Sequence, residues 1–130
     1  MQYLLDTNVL SESSKPNPDG QVMAWLTDLD QLVISGVTLL EIRYGLLLNK
    51  SNYKEQWFKL LYPALTVLAA WNDLFPSAVE LLEQSKAKGQ SPSPADMLIA
   101  AYAKRYALVL ATRNTKDFAH CGIDIVNPWQ

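Results

Sequence analysis

The stretch Tyr3-Leu4-Leu5-Asp6 sets the interpretation of the whole chain, because a short apolar run ends there in an acid. Residues 4–6 are predicted to form a strand, and residues 9–13 a helical turn. Short apolar runs and helical segments then alternate to the end of the chain. This alternation predicts an α/β fold with a mostly parallel central sheet covered by helices on both faces. Ligand sites in such sheets form at the carboxyl ends of strands, where Asp6 lies.

The remaining elements follow from apolar periodicity and from the residues that break it. Two prolines and a glycine forbid a helix over residues 15–20, whereas Ser93 and Pro94 suit an N-cap and a first helical residue. No repeat or linker is present, so residues 1–130 are expected to form a single domain. Strands are predicted over residues 32–35, 65–68, 108–111 and 123–126, and helices over residues 22–29, 38–49, 53–61, 75–88 and 94–106.

Four acids lie where a strand ends, or where a helix begins or is interrupted. Carboxylates gathered in one crevice repel one another, and some stay protonated unless a cation neutralises them. A hard divalent ion with oxygen ligands is the simplest remedy. The pattern therefore predicts metal-assisted chemistry on a phosphate ester. The four acids are Asp6, Glu41, Asp96 and Asp117.

Three of these positions also have an ordinary structural explanation. Asp6 alone suits the cap of the helix that follows it. Asp96 is the third helical residue of a capping box that begins at Ser93. Asn114 and Asp117 suit an Asx turn and a helix start. The combination of the four acids favours a functional site over four separate structural roles, since all of these positions can converge on one crevice.

Glu41 is the hardest of the four to explain structurally, because the helix around it has no broad polar face. At about 100° per residue it falls beside Val37, Tyr44 and Leu48 on an apolar face. This placement favours a functional acid. The alternative is an acid at the rim of the core that pairs with Arg43 of a neighbouring chain.

Composition indicates an ordinary soluble protein of 130 residues, 49% hydrophobic and 18% charged, with no apolar run near the ~20 residues of a membrane span. The first residues lack the basic region of a signal peptide, and the single Cys121 permits no internal disulfide, so a cytoplasmic location is expected. The net charge is −2, but apart from the four acids the chain has 9 acidic and 11 basic residues. Its charge therefore neither supports nor excludes a nucleic-acid substrate.

Several other reaction classes lack the residues that they need. His120 is the only histidine, so a ribonuclease that uses two histidines is excluded. A Ser-His-Asp hydrolase would also depend on His120, and no nucleophile-elbow motif is present. An aspartyl phosphotransferase needs a second acid two residues after Asp6, where Asn8 stands, and the chain has no glycine-rich phosphate loop.

The acidic positions lie in motifs that resemble a known family. Leu5-Asp6-Thr7-Asn8-Val9-Leu10-Ser11-Glu12 resembles the opening of PIN domains of the VapC and FitB ribonuclease toxin type. One departure lies outside the motifs, in residues 67–75, where Ala69-Ala70-Trp71-Asn72 replaces an aspartate-containing segment. The other similar motifs are residues 37–45 around Glu41, residues 95–101 around Asp96, residues 111–118 around Asp117, and the closing Asn127-Pro128-Trp129.

The resemblance implies an α/β/α sandwich that cleaves RNA, such as tRNA or ribosomal RNA, with Mg²⁺ or Mn²⁺. It also implies a homodimer inhibited by a VapB-like antitoxin, and residues 44–57 are expected to line a groove for an antitoxin helix or for the dimer contact. A non-catalytic PIN-fold binding module and a DNA nuclease are the alternatives. The expected roles are metal binding and catalysis by Asp6, Glu41, Asp96 and Asp117, orientation of Asp117, bound water or the phosphate by Thr112 and Asn114, and phosphate contact by Arg113 and Lys116.

Overall fold

Five short strands form one sheet in the computed structural model, which describes residues 2–130. They are β1 (Tyr3–Leu5), β2 (Leu32–Ile34), β3 (Leu65–Val67), β4 (Val109–Ala111) and β5 (Ile125–Val126). The strand order is β3-β2-β1-β4-β5, and every neighbouring pair is parallel. The predicted α/β class is confirmed, and the sheet is parallel throughout rather than mostly so.

Helices follow the strands and cover the sheet. They are α1 (Thr7–Glu12), α2 (Gly20–Thr27), α3 (Gly36–Leu48), α4 (Asn52–Leu61), α5 (Leu74–Ala87), α6 (Pro94–Arg105) and α7 (Thr115–Phe118), with a 3-10 turn at Tyr62–Ala64. The predicted boundaries lie within two residues of these, and α7 lies where an Asx turn and a helix start were expected at Asn114 and Asp117. Within residues 2–130, no helix combines the length and the hydropathy needed to cross a bilayer.

Serine caps fix the starts of the two helices that carry Glu41 and Asp96. The Ser35 hydroxyl accepts a hydrogen bond from the Thr38 N–H at 3.1 Å, and the Ser93 hydroxyl accepts one from the Asp96 N–H at 3.0 Å. Such bonds satisfy N–H groups that have no partner inside the helix. As a result α3 and α6 begin at defined positions, and Asp96 lies in the first turn of α6.

Alternate residues of each strand enter two hydrophobic cores, one on each face of the sheet. Leu4 and Leu110 pack with α5 and α6, whereas Leu5 and Ala111 pack with α1 to α4. The pleat of a strand produces this alternation, and burial on both faces accounts for the continuous apolar runs. Because each buried leucine contributes about 1.5–3 kcal/mol, the two cores fix the strand register. The result is the three-layer α/β/α arrangement.

The chain connectivity leaves a crevice between the carboxyl ends of β1 and β4. The α1 helix, which follows β1, packs on one face of the sheet, and Phe118 of α7, which follows β4, packs on the other. Between strands whose helices diverge in this way, an α/β sheet opens a ligand crevice. Pairing of the two strands continues to the edge of the crevice, because the Asp6 N–H donates to the Ala111 carbonyl at 2.9 Å.

Candidate active site

Asp6 lies immediately after β1 and is 4% exposed. One of its carboxylate oxygens accepts from the Thr7 N–H at 2.8 Å, and the other accepts from Thr112 at 2.7 Å and from Asn8 at 3.2 Å. Burial raises the pKa of this carboxyl above its ordinary value, the hydrogen bonds act in the opposite direction, and the charge of Asp117 raises the pKa further. Asp6 therefore caps α1, as its position suggested, and is also a charge held at the crevice.

Thr112 connects the loop after β4 to Asp6. Its hydroxyl is buried, donates to Asp6, and accepts from the Asn114 N–H at 3.0 Å. The expectation was that Thr112 and Asn114 would orient Asp117, bound water or the phosphate. The structure instead shows Thr112 orienting Asp6. Asn114 meets Asp117 through the backbone, because its carbonyl accepts the Asp117 N–H at 3.1 Å.

Asp96 is half-buried in the first turn of α6 and senses the charges of the other three acids. Burial is the largest cause that raises the pKa of its carboxyl, and the charge of Asp6 comes next. A hydrogen bond with Ser93 lowers the pKa, whereas the charges of Asp117 and Glu41 raise it. The charges of the other three predicted acids therefore all act on Asp96.

Glu41 reaches the site from α3 through a threonine. The Thr7 hydroxyl donates to its carboxylate at 2.7 Å and lies 3.3 Å from the buried Thr38 hydroxyl. The apolar face on which Glu41 was expected is not buried along its length, because Glu41, Tyr44 and Leu48 are all exposed. The inward face of α3 carries other residues, so an apolar sequence does not guarantee burial of every face.

Asp117 and Lys116 lie on α7 at the outer side of the crevice, and both are exposed. Together with Gln90, Ser91 and Pro92 they line a shallow cleft of about 240 Å³. The carboxylate of Asp117 is near enough to Asp6 and Asp96 to raise both of their pKa values. Asp117 is therefore the exposed acid of the crevice, whereas Asp6 is the buried one.

Arg113 is also exposed, and its backbone is tied to the acid at the end of β1. Its N–H donates to the Asn8 side-chain carbonyl at 3.2 Å, and the Asn8 amide in turn donates to Asp6. Its guanidinium lies over the ring of Trp129, 4.8 Å from the ring centroid. The backbone of Arg113 thus borders the acidic crevice, while its guanidinium lies against Trp129.

Sequence reasoning assigned no role to Thr7 or Asn8, although both belong to the site. Thr7 bridges Asp6 and Glu41, and Asn8 bridges Asp6 and the backbone of Arg113. The signal that pointed to them was their position, because they are the first two polar residues of the helix that starts at the end of β1. Their bonding partners could not be identified without the tertiary fold.

The carboxylate oxygens in the crevice are donors of the type that a hard divalent cation prefers. Their placement does not form a complete set of ligands. Within residues 2–130, no three Asp, Glu, His or Cys side chains stand close enough to hold an ion as they are placed. All four candidates offer carboxylate oxygens, which Mg²⁺ and Mn²⁺ prefer. Binding of an ion would also relieve the repulsion that raises the pKa of Asp96.

Known proteins match this chain over nearly its whole length. A profile of the PIN domain matches residues 3–123. The VapC ribonuclease Y4jK of Sinorhizobium fredii is 36% identical, covering 98% of this chain and 97% of its own. The crystal structure of FitAcB from Neisseria gonorrhoeae has a TM-score of 0.84 at 29% identity and 99% coverage of both chains. A toxin-antitoxin complex from Klebsiella pneumoniae has a TM-score of 0.77 at 26% identity, also with 99% coverage of both chains.

These matches agree with the geometry of the crevice. The matched segment extends from β1 beyond α7 and so includes Asp6, Glu41, Asp96 and Asp117. Identity of this level over almost the whole of both chains reflects a shared fold and shared ancestry rather than a short common motif. The chain belongs to the PIN domain family and is similar over nearly its whole length to the VapC and FitB proteins of that family.

Proposed function

We propose that this chain is a toxin of the VapC type, an endoribonuclease that hydrolyses RNA phosphodiester bonds with Mg²⁺ or Mn²⁺. The observation that carries the proposal is the convergence of the four acids. Thr7 bonds both Asp6 and Glu41, and the pKa of Asp96 is raised first by burial and then by the charges of Asp6, Asp117 and Glu41. Four carboxylates that repel one another beside a cleft are an arrangement that a divalent cation stabilises. The similarity to a VapC ribonuclease supports RNA as the substrate.

The four acids would hold the ion in this mechanism, and the other residues of the crevice serve those acids or the substrate. A bound divalent ion supplies a nucleophile from water at neutral pH and neutralises charge on the phosphate. Thr112 and Asn8 keep the Asp6 carboxylate oriented and favour its ionised form through their hydrogen bonds. Arg113 and Lys116 are exposed at the rim and would contact backbone phosphates of the RNA.

A VapB-like antitoxin would cover an apolar groove between α3 and α4. The groove has a volume of about 500 Å³, and it lies in the region where residues 44–57 were expected to form one. An amphipathic segment can place its apolar face in such a groove. The residues that line the groove are the apolar or aromatic Leu46, Leu47, Phe58, Tyr62 and Pro63 and the charged Arg43, Lys50, Glu55 and Lys59. The proposal extends to a homodimer in the cytoplasm, with tRNA or ribosomal RNA as the substrate.

The test is cleavage of matched RNA and DNA oligonucleotides by antitoxin-free protein in EDTA, Mg²⁺ or Mn²⁺. We expect RNA to be cut only with metal, DNA to be spared, and Asp96→Asn to abolish cleavage. Asp30→Asn is the matched control, because Asp30 is an exposed acid at the opposite end of the sheet. Equal cleavage by the Asp96→Asn protein would reveal a contaminating nuclease and refute the assignment.

A second readout, thermal unfolding, does not depend on activity. Mg²⁺ should raise the melting temperature of the wild-type chain, because a ligand that binds only the folded state stabilises it. The same concentration should raise the melting temperature of the Asp96→Asn protein less. If neither Mg²⁺ nor Mn²⁺ changed the melting temperature of the wild type, the proposed metal site would be refuted.

A non-catalytic binding module is the second candidate. The observation in its favour is that no three acidic, histidine or cysteine side chains of residues 2–130 stand within ligating reach of one ion. A binding module would bind RNA in EDTA, Mg²⁺ and Mn²⁺ alike and would not cleave it. The cleavage and unfolding measurements therefore distinguish the two candidates.

A further inference from the structure

The C-terminal segment folds back on the loop that carries Arg113. The Thr112 N–H donates to the Val126 carbonyl at 3.0 Å, which joins this loop to the end of β5. Asn127 then forms a tight turn, because its side chain accepts the Trp129 N–H at 2.9 Å and its carbonyl accepts the N–H of the last residue at 3.1 Å. Trp129 consequently has a defined place beside the loop that carries Arg113.

Arg113 is held both at its backbone and at the end of its side chain. Its backbone N–H is bound by Asn8, which also binds Asp6, and its guanidinium lies 4.8 Å from the centroid of the Trp129 ring. A cation over the face of an indole ring is attracted by the quadrupole of the ring. This contact occupies a face of the guanidinium and leaves its N–H donors available.

The Arg113 guanidinium makes no ion pair within 4 Å in the described part of the chain. Lys15 is the main cause that lowers the pKa of Glu12, and the charge of Arg113 adds to this effect. Among residues 2–130, ion pairs within 4 Å join only Glu12 to Lys15 and Asp73 to Arg105. Arginine and a carboxylate normally form strong forked hydrogen bonds. A guanidinium that collapsed onto Asp6 or Asp117 would block the crevice and compete with a metal. Contact with Trp129 holds it at a separate place.

We propose that Trp129 is a positioning residue that presents the Arg113 guanidinium to a backbone phosphate of the RNA. This inference rests on the proposed function, because it takes RNA as the ligand. Trp129 also packs against the core on the α1 to α4 side of the sheet, which is a purely structural role. The experiment must therefore include a readout that loss of packing alone would not change.

The readout is the salt dependence of RNA affinity. The Asp96→Asn chain, kept in EDTA to prevent cleavage, is titrated against a fluorescein-labelled single-stranded RNA over a series of salt concentrations. Each phosphate contact contributes about 0.7 to the slope of log K against log salt for a single strand. Arg113→Ala should lower the slope by about this amount and weaken binding about five- to tenfold.

Changes at Trp129 should act through Arg113. Trp129→Leu should weaken binding about two- to fivefold, which is the range of an exposed cation–π contact, and should lower the slope. Trp129→Phe retains an aromatic face and should bind within about twofold of the parent. In the Arg113→Ala background, Trp129→Leu should have no further effect, because coupled changes are not additive.

A second arginine–tryptophan pair supplies the control. The Arg105 guanidinium lies 5.2 Å from the centroid of the Trp71 ring, at the end of α6 opposite Asp96. Arg105→Ala removes the same charge from the same kind of contact and should leave the slope unchanged. A slope that falls as far in Arg105→Ala as in Arg113→Ala would overturn the inference, as would full additivity of Arg113→Ala and Trp129→Leu.

NMR of the parent chain covers the case in which Trp129→Leu does not fold. The Arg113 side-chain Nε–H signal, assigned with Arg113→Lys, should move when RNA is added, and a stationary signal would contradict the proposal. Wild-type cleavage is measured in parallel. If the wild type does not cut RNA while Trp129 and Arg113 remain coupled in binding, the proposed function fails and this inference stands. If the wild type cuts RNA but Trp129→Leu binds RNA as tightly as the parent, the proposed function stands and this inference fails.

Discussion

At the residue scale, the Asp6 carboxylate keeps its place because three donors surround it. Burial favours the protonated acid, whereas hydrogen bonds from Thr112, Thr7 and Asn8 favour the carboxylate. The same residue ends a strand, caps a helix and faces the crevice. Substitution of one of these donors should therefore change the pKa of Asp6 while the Asp6 carboxyl itself stays in place.

Thr112→Val is expected to reduce RNA cleavage about 10- to 100-fold, the usual cost of losing a residue that orients a metal ligand. Loss of the hydroxyl removes the leading hydrogen bond that lowers the pKa of Asp6, so this pKa rises. The ascending limb of kcat/KM against pH should consequently move to higher pH. Thr66→Val, the same change at an exposed position of β3, is the control. A limb that stays in place would show that Thr112 does not act through Asp6.

Asp96→Asn should stabilise the metal-free protein at neutral pH. The folded chain raises the pKa of Asp96, so the folded state binds this proton more tightly than the unfolded state does. Its contribution to stability is favourable below the unfolded pKa and is lost as pH rises through the folded pKa. At pH 7 the ionised carboxyl therefore opposes folding, and removing its charge should raise the melting temperature by about 1–4 °C.

The control for this measurement is Asp30→Asn, whose melting temperature should match that of the wild type. The gain from Asp96→Asn should also shrink as the pH is lowered toward the ordinary pKa of Asp96, because the wild-type acid then becomes protonated. A lower melting temperature for Asp96→Asn in EDTA at pH 7 would contradict the electrostatic account. That result would mean that the role of Asp96 in the first turn of α6 outweighs the repulsion.

At the element scale, α3 serves the site and a neighbouring groove with different faces. It buries Thr38 and Ile42, directs Glu41 toward Thr7, and leaves Leu47 and Leu48 exposed. Leu47 and the partly buried Leu46 line the apolar groove that we propose for an antitoxin, together with Phe58 of α4. Contiguous apolar surface of this kind in a soluble protein marks an interaction site.

Leu47→Glu is expected to weaken antitoxin binding at least tenfold, because it buries a charge in an apolar contact. Its melting temperature should stay close to that of the wild type, since Leu47 is 65% exposed. Calorimetric titration with a peptide of the antitoxin C-terminal segment would measure the change in affinity. Val79→Glu is the matched control on α5, where the side chain is 51% exposed. Equal losses from both substitutions would place the partner elsewhere or show a nonspecific effect.

At the scale of the whole molecule, the departure from the family pattern is remote from the acids. Trp71 donates to the Tyr106 hydroxyl at 2.9 Å, and this hydroxyl donates to the Ala69 carbonyl at 2.7 Å. Tyr106 follows α6 at the end opposite Asp96, about 15 Å away for ten residues of helical rise. The divergent segment is therefore bonded to the residue that follows α6, at the end opposite Asp96, and its residues 69–73 are exposed, so we expect it to affect partners rather than catalysis.

The oligomeric state depends on the surface of the whole molecule. The isolated chain is expected to be a dimer at micromolar concentration. Large apolar side chains are exposed on several elements, including Leu60 at 82% and Phe75 at 56%, and a second copy would remove part of this surface from water. Light scattering coupled to size exclusion measures the mass directly. A mass of 14.6 kDa over the whole concentration range would contradict a dimer.

The sequence by itself determined the order of the elements, the parallel sheet and the four acids, because these depend on local periodicity, on caps such as Ser93, and on motif residues that are close along the chain. Only the tertiary structure decided which residues bind one another across the fold. Thr112 meets Asp6 across 106 positions, and Thr7 meets Glu41 across 34. Local patterns carry no record of such distant contacts. They arise only when two hydrophobic cores fix the register of β1 against β4, and for the same reason the exposed face of α3 could not be recognised from its apolar sequence.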